Sequence, residues 1–165
     1  MCCYRECLKL STEQEQTIRS AVINLMKLQI VEDRIDVNNM PDYSEIVNVR
    51  RRNAQQFANT LFQNKMISMK SIITDWDYIY KSEELIGQLL GTPFFKKCVH
   101  LCWYMAIQDP VMYLTEEIKP DTVYNRDVYK EFVQSGDKVK YVVWPALFLH
   151  EGGPLLYKGV VQPYN

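Results

Sequence analysis

Thr92-Pro93 opens a stretch that limits the fold more than any other part of this chain. Thr can cap a helix and Pro suits the first helical position. From there to Gln108, and after Lys96 and Lys97, apolar residues surround the helix: Val99, Leu101, Cys102, Trp103, Met105, Ala106 and Ile107. A helix apolar on most sides belongs at the centre of a bundle. Asp109-Pro110 ends it, because the residue before proline is pushed out of helical geometry.

Other segments carry the helical period that such a bundle needs. Ser11 with Gln14 and Thr12 with Glu15 form overlapping capping boxes. Ile18, Ala21, Val22, Leu25 and Leu28 then recur at helical spacing, fading near Val31. Asp42 with Glu45 starts a second helix, with Tyr43, Ile46, Val47, Ala54, Phe57, Ala58 and Leu61 as its buried stripe. No strong breaker stands between Tyr43 and Leu90, so this helix either runs long or breaks near Asn64 or Thr74. Met66, Met69, Ile72, Ile73, Trp76, Ile79 and Tyr80 continue the period, and Leu85, Ile86, Leu89 and Leu90 close it before Gly91. Tyr124, Val128 and Phe132 suggest one more short helix, ended by Gly136.

The C-terminal stretch from Tyr141 to Tyr164 is nearly all apolar or aromatic. A membrane span needs about 20 unbroken apolar residues. Pro145, His150, Glu151, the Gly152-Gly153-Pro154 turn and Lys158 interrupt this one. Two short apolar arms around a turn read as buried extended segments. Val139, Tyr141 and Val143 alternate as in a strand, and Val111 to Leu114 is expected to be extended. The fold expected is mainly α, a helical bundle with a small β element at its C-terminal end. Residues 1–10 form a Cys-containing tail and residues 11–165 one domain. A chain of 165 residues can bury a sizeable core.

Nineteen basic and twenty acidic residues leave a net charge of −1, which argues against a general nucleic-acid binder. Five cysteines, at positions 2, 3, 7, 98 and 102, are odd in number and follow no signal peptide, which points to a reducing compartment.

No motif for catalysis, phosphate binding or a metal is complete. His150-Glu151 pairs an acid with a base, the raw material of a hydrolase or transferase. The zinc-protease pattern needs a second His where Pro154 stands, so a polar pair at a turn is the simpler reading. Cys98 and Cys102 share a helix face but two thiolates do not complete a zinc site, and His100 points elsewhere. They read as small core residues. The glycines lack phosphate-loop and dinucleotide spacing. Arg50-Arg51-Arg52 cannot all face one way on a helix, where successive residues turn by about 100°. Arg50 is expected to pack near the apolar stripe and Arg51 and Arg52 to reach solvent, so the run reads as a solvated face or, with Lys96, Lys97 and Lys158, as an anion contact. Cys2 and Cys3 are candidates for acylation, since two acyl chains anchor a protein stably. No cofactor is expected.

Two motifs resemble a known family. VVWPALFLHEGGPLLYKGV, Val142 to Val160, resembles the closing motif of the mitochondria-eating protein family. LCWYMAIQDPVM, Leu101 to Met112, resembles that family's central helix and the turn after it. The matching positions include Trp103, Pro110, Trp144, Pro145, Gly152, Gly153, Pro154 and Gly159. The resemblance implies a role in repair or removal of damaged mitochondria and a cytoplasmic and mitochondrial location, at the outer membrane or in the matrix. It implies contact with cardiolipin or another anionic phospholipid, with mitochondrial membrane proteins, and self-assembly. Longer members carry coiled coils, but sustained heptads are not evident here. It carries over no catalytic residue. Trp144 is expected to be buried and Pro145 to sit at an edge or bulge, so that the stretch closes the core.

Overall fold

The computed structural model describes residues 2–26, 30–31, 34–35, 43–67, 83–116 and 118–165. It divides into two compact units, Cys2–Gln108 and Asp109–Asn165.

In the first unit, α1 spans Cys2–Met26, α2 Tyr43–Arg52, α3 Ala54–Gln63, α4 Glu83–Leu90 and α5 Pro93–Ala106. Two-residue strands β1 (Ile30–Val31) and β2 (Arg34–Ile35) pair antiparallel. The Thr92 hydroxyl accepts from the Phe95 amide at 3.1 Å, and Pro93 takes the first turn, as the sequence indicates. Helix α5 packs against α1, α3 and α4. Its core comprises Cys7, Ala54, Ala58, Leu61, Ile67, Phe95, Val99, Trp103, Ala106 and Ile107.

Helix boundaries depart from the sequence expectation at both ends of this unit. Residues 2–10, set apart as a tail, are the start of α1. Ser11 does not cap a helix. It lies mid-helix and buried, with its hydroxyl donated to the Ala106 carbonyl at 2.9 Å. A capping-box pattern says only that a hydroxyl could close a helix end. Packing against α5 offered this one a different acceptor. The break at Asn64 is present, followed by Lys65 at φ 49°, and a further break falls at Asn53. Thr74 and the stripe from Met69 to Tyr80 lie outside the described residues.

The second unit overturns the expected mainly-α class. Strands β3 (Tyr113–Leu114), β6 (Leu147–Phe148) and β7 (Leu155–Tyr157) form one sheet in the order β3-β6-β7. Strands β4 (Tyr129–Glu131), β8 (Gly159–Tyr164) and β5 (Lys138–Trp144) form another, in the order β4-β8-β5. Among the described residues five helices stand beside two three-stranded sheets, so the fold is mixed α/β. The helix expected from Tyr124 to Phe132 is a turn leading into β4. That strand runs parallel to β8, with Tyr129 beside Gly159 and Glu131 beside Val161. The four-residue spacing of Tyr124, Val128 and Phe132 mimics a helical stripe. A partner strand far along the chain supplies the hydrogen bonds instead, such as Phe132 N to Val161 O at 2.9 Å.

The expected strand around Tyr141 is β5, and the extended segment before it is β3. Register shifts at Val139/Tyr141 and Val142/Trp144 bulge β5 against β8, next to Pro145. The core of this unit is Tyr124, Tyr129, Val139, Ala146 and Val161. Thr115 pins it: its hydroxyl accepts from Tyr129 Oη at 2.6 Å and from the Ala146 amide at 2.9 Å.

The apolar C-terminal stretch, expected to be buried, carries exposed side chains at Tyr141, Leu149, Leu156, Tyr157 and, in its family motif, Trp144. Trp144 is 60% exposed, whereas Trp103 is 1% exposed. Trp144 pairs with Val160 on β8. Val142 pairs with the fully buried Val161, so the bulge between Val142 and Trp144 turns the indole away from the core face.

Candidate functional site

Helix α5 has two faces. Phe95, Val99 and Trp103 point into the core, where the Trp103 ring tilts against Phe57 with centroids 4.5 Å apart. Phe94, Lys97, Leu101 and Tyr104 recur at spacings of three, four and three, which sets them along one side of the helix. That side is open: Phe94 is 59% exposed, Leu101 62% and Tyr104 38%, with Lys96 and Lys97 exposed among them. The helix is therefore less enclosed than its composition implies. The signal was present in the sequence. Lys96 and Lys97 cannot be buried unpaired, so the residues one turn beyond Lys97 share its exposure.

The charged candidates have separate fates. Arg50 is only 6% exposed. Its Nε donates to Gln14 Oε1 at 3.0 Å, its Nη1 to Glu15 Oε2 at 3.4 Å, and its Nη2 to Ser11 O at 2.9 Å and to the Ser11 hydroxyl. It is a tie between α1 and α2, and it is committed. Arg51 and Arg52 are exposed in the last turn of α2, where cations suit the negative end of the helix dipole. Lys158 belongs to the other unit and donates to the Arg126 carbonyl at 2.9 Å. Lys96 and Lys97 are the pair that stands beside exposed apolar side chains.

His100 is half-buried and its Nε2 meets Asn59 Oδ1 at 3.1 Å, which makes it the donor. Burial, then the neighbouring Lys96 charge, hold its pKa below the ordinary 6.5.

The His150-Glu151 pair is built into a turn. His150 Nδ1 meets the Glu151 carbonyl at 2.9 Å, and the Gly153 amide donates to the His150 carbonyl at 3.0 Å. The ring lies over Gly153, where an added Cβ would strike it at 2.6 Å. Gly152 turns the chain at φ +70°, Pro154 is exposed, and Gly159 is buried where its missing Cβ makes room for the Tyr129 ring. Pro110 is exposed after a cis peptide bond and Pro145 is half-buried. These family-motif positions shape turns and contacts within the second unit.

Cys98 and Cys102 are half-buried on α5. Cys3 is half-buried against the core of the first unit, so acylation would require it to leave that packing. The Cys2 side chain lies outside the described residues. Among the described residues, no group of three or more His, Cys, Asp or Glu is arranged to hold a metal ion. No described helix is long and apolar enough to cross a membrane.

Neither the curated proteins nor the solved structures contain a match to the chain. A family model described as mitochondria-eating protein matches residues 1–163. That span contains both motifs, α5 and all but the last residue of the two three-stranded sheets. Over nearly its whole length the chain belongs to the mitochondria-eating protein family, which ties it to mitochondrial quality control and to an association with mitochondria.

Proposed function

We propose that the chain is a non-enzymatic binding and scaffold domain that serves mitochondrial quality control by docking on anionic phospholipid, cardiolipin included. The docking surface is the open side of α5. One observation carries this reading: Phe94, Leu101 and Tyr104 are exposed in line with Lys97 and beside Lys96. Ammonium groups meet headgroup phosphates while apolar side chains enter the acyl boundary, the arrangement of an interfacial helix. The location that follows is a mitochondrial membrane surface, at the outer membrane or facing the matrix.

Co-sedimentation with liposomes, with and without cardiolipin, across a salt series tests the reading. Binding is expected to require the anionic lipid, to weaken with salt, and to drop in Lys96→Glu/Lys97→Glu and in Leu101→Ser. Binding unchanged in both variants would sink the α5 assignment. Arg50 is unsuitable for such a scan, because reversing a buried charge would disrupt the fold.

A second reading, self-association, is favoured by the exposed aromatic side chains of the second unit. Tyr141, Trp144 and Tyr157 are exposed in the second unit, and the Lys130 ammonium lies 5.6 Å from the Tyr157 ring centroid. Exposed aromatics beside a cation are common hot-spot chemistry at protein interfaces. Light scattering over a concentration series tests it. Assembly lost in Trp144→Ala supports it, and a strict monomer at high concentration removes it.

A further inference from the structure

The first unit holds a cavity of about 560 Å³. Its apolar walls come from α3 and the turn after it (Leu61, Phe62, Ile67), from α4 (Leu90) and from the inner side of α5 (Phe95, Val99). Close packing leaves few voids larger than a water molecule. A concave apolar space within about 300–1,000 Å³ is instead the usual form of a small-molecule site.

Two residues on its lining are not explained by packing. Gly87 stands inside α4, where glycine is a poor helix former. An added Cβ would meet no atom within 4 Å, so no close approach requires a glycine here. Its missing side chain leaves the wall of the cavity open. Lys65 stands just past the end of α3, at φ 49°. Its amide donates to Phe62 O at 3.2 Å and the Met66 amide to Leu61 O at 3.1 Å, a helix ending whose left-handed residue is usually glycine. Lys65 is the one charged residue on the lining, and it has no ion-pair partner among the described residues. It is exposed, which sets its ammonium at the mouth and not within the walls. Gly91 also lines the cavity, one residue before the Thr92 cap, so the positive end of α5 adjoins the same space.

We propose that this cavity binds a single-chain fatty acid, with its hydrocarbon chain between α3, α4 and α5 and its carboxylate at Lys65. Apolar walls take the chain, each buried methylene being worth about fourfold in affinity. A cation at the mouth, with no carboxylate on the lining, selects an anionic head over a cationic one. The volume is that of one drug-sized ligand. The site is separate from the open side of α5, since Phe95 and Val99 are buried where Phe94, Leu101 and Tyr104 are exposed. It stands without the membrane reading.

The test is calorimetric titration of the whole chain with hexanoate, octanoate and decanoate, each below its micelle concentration and with no membrane present. One carboxylate should bind per chain, with affinity rising about fourfold for each added methylene. Decanol should bind about twofold to fivefold more weakly than decanoate, the worth of an exposed charge pair. Lys65→Met should remove that difference and still bind decanol. Gly87→Leu should keep its fold by circular dichroism, because Leu favours a helix where Gly does not. It should bind decanoate at least about tenfold more weakly, its side chain taking the space of the ligand's methylenes. Titrating the unmodified chain needs no variant to fold. The proposal is overturned if that chain shows no saturable binding or no dependence on chain length. It is equally overturned if folded Gly87→Leu binds decanoate unchanged, or if the preference for decanoate survives Lys65→Met.

Discussion

The Ser11 hydroxyl donates to the Ala106 carbonyl at 2.9 Å, tying the middle of α1 to the last turn of α5. The same hydroxyl meets Arg50 Nη2 from α2, so one small side chain joins three helices. Ser11 is buried, and so is the guanidinium. Removing the hydroxyl strands a carbonyl and part of a charged donor away from water. Ser11→Ala is expected to cost about 1–3 kcal/mol. Urea denaturation at neutral pH checks it, and Thr12→Ala, exposed one residue on, is the control expected within about 0.5 kcal/mol.

The two tryptophans of the family motifs should respond in opposite ways. Trp103→Ala empties a packed site and is expected to cost about 3–5 kcal/mol. Trp144→Ala removes an exposed ring and should cost less than about 1 kcal/mol. Trp103→Phe should be the milder core change. The indole Nε1 is buried with no partner among the described residues, so its loss removes an unsatisfied donor. Thermal melts of the three variants decide the order.

Gly159→Ala should destabilise the second unit by about 1–3 kcal/mol, because its Cβ would meet the Tyr129 ring and the Ala146 amide nitrogen. Gly152→Ala meets no atom. Its φ of +70° alone should cost about 1–2 kcal/mol. Gly153→Ala presses only on the His150 ring, which can rotate away, so the smallest effect is expected there. Denaturation midpoints falling in a different order would show that the turn around His150 is packed otherwise.

Acid should weaken the first unit through His100. Its folded-state pKa is lowered by burial and by Lys96, so the unfolded chain takes up the proton first. The stability it contributes is complete above the ordinary value of 6.5 and is lost as pH falls through the lower folded value. Imidazole shifts in an NMR titration should place His100 below 6.5, and Lys96→Gln should move it upward. A midpoint at or above 6.5 would contradict the burial of this ring.

Local chemistry made several elements legible. The Thr92-Pro93 cap and the Gly152-Gly153-Pro154 turn depend on neighbours in sequence, and they appear where the residues put them. Strand β5 was readable too, because seven residues are enough to show extended patterning. The two-residue strands β3 and β6 are too short to alternate, and β4 carries a spacing that reads as helix. They exist because distant partners complete their hydrogen bonds, and no local window contains those partners.

The sequence by itself determined that the chain builds a core around Trp103, that it lacks a span for the bilayer in its C-terminal stretch, and that it resembles one family. Only the tertiary structure decided which similar residues differ in fate. It supplied the partners that let Arg50, already set near the apolar stripe by helical phase, leave water: Ser11, Gln14 and Glu15 replace its hydration. It turned Trp144 outward, because a bulge in β5 shifts which side chain faces the core. It set Ser11 against Ala106, because packing α1 on α5 joins positions that no sequence spacing relates.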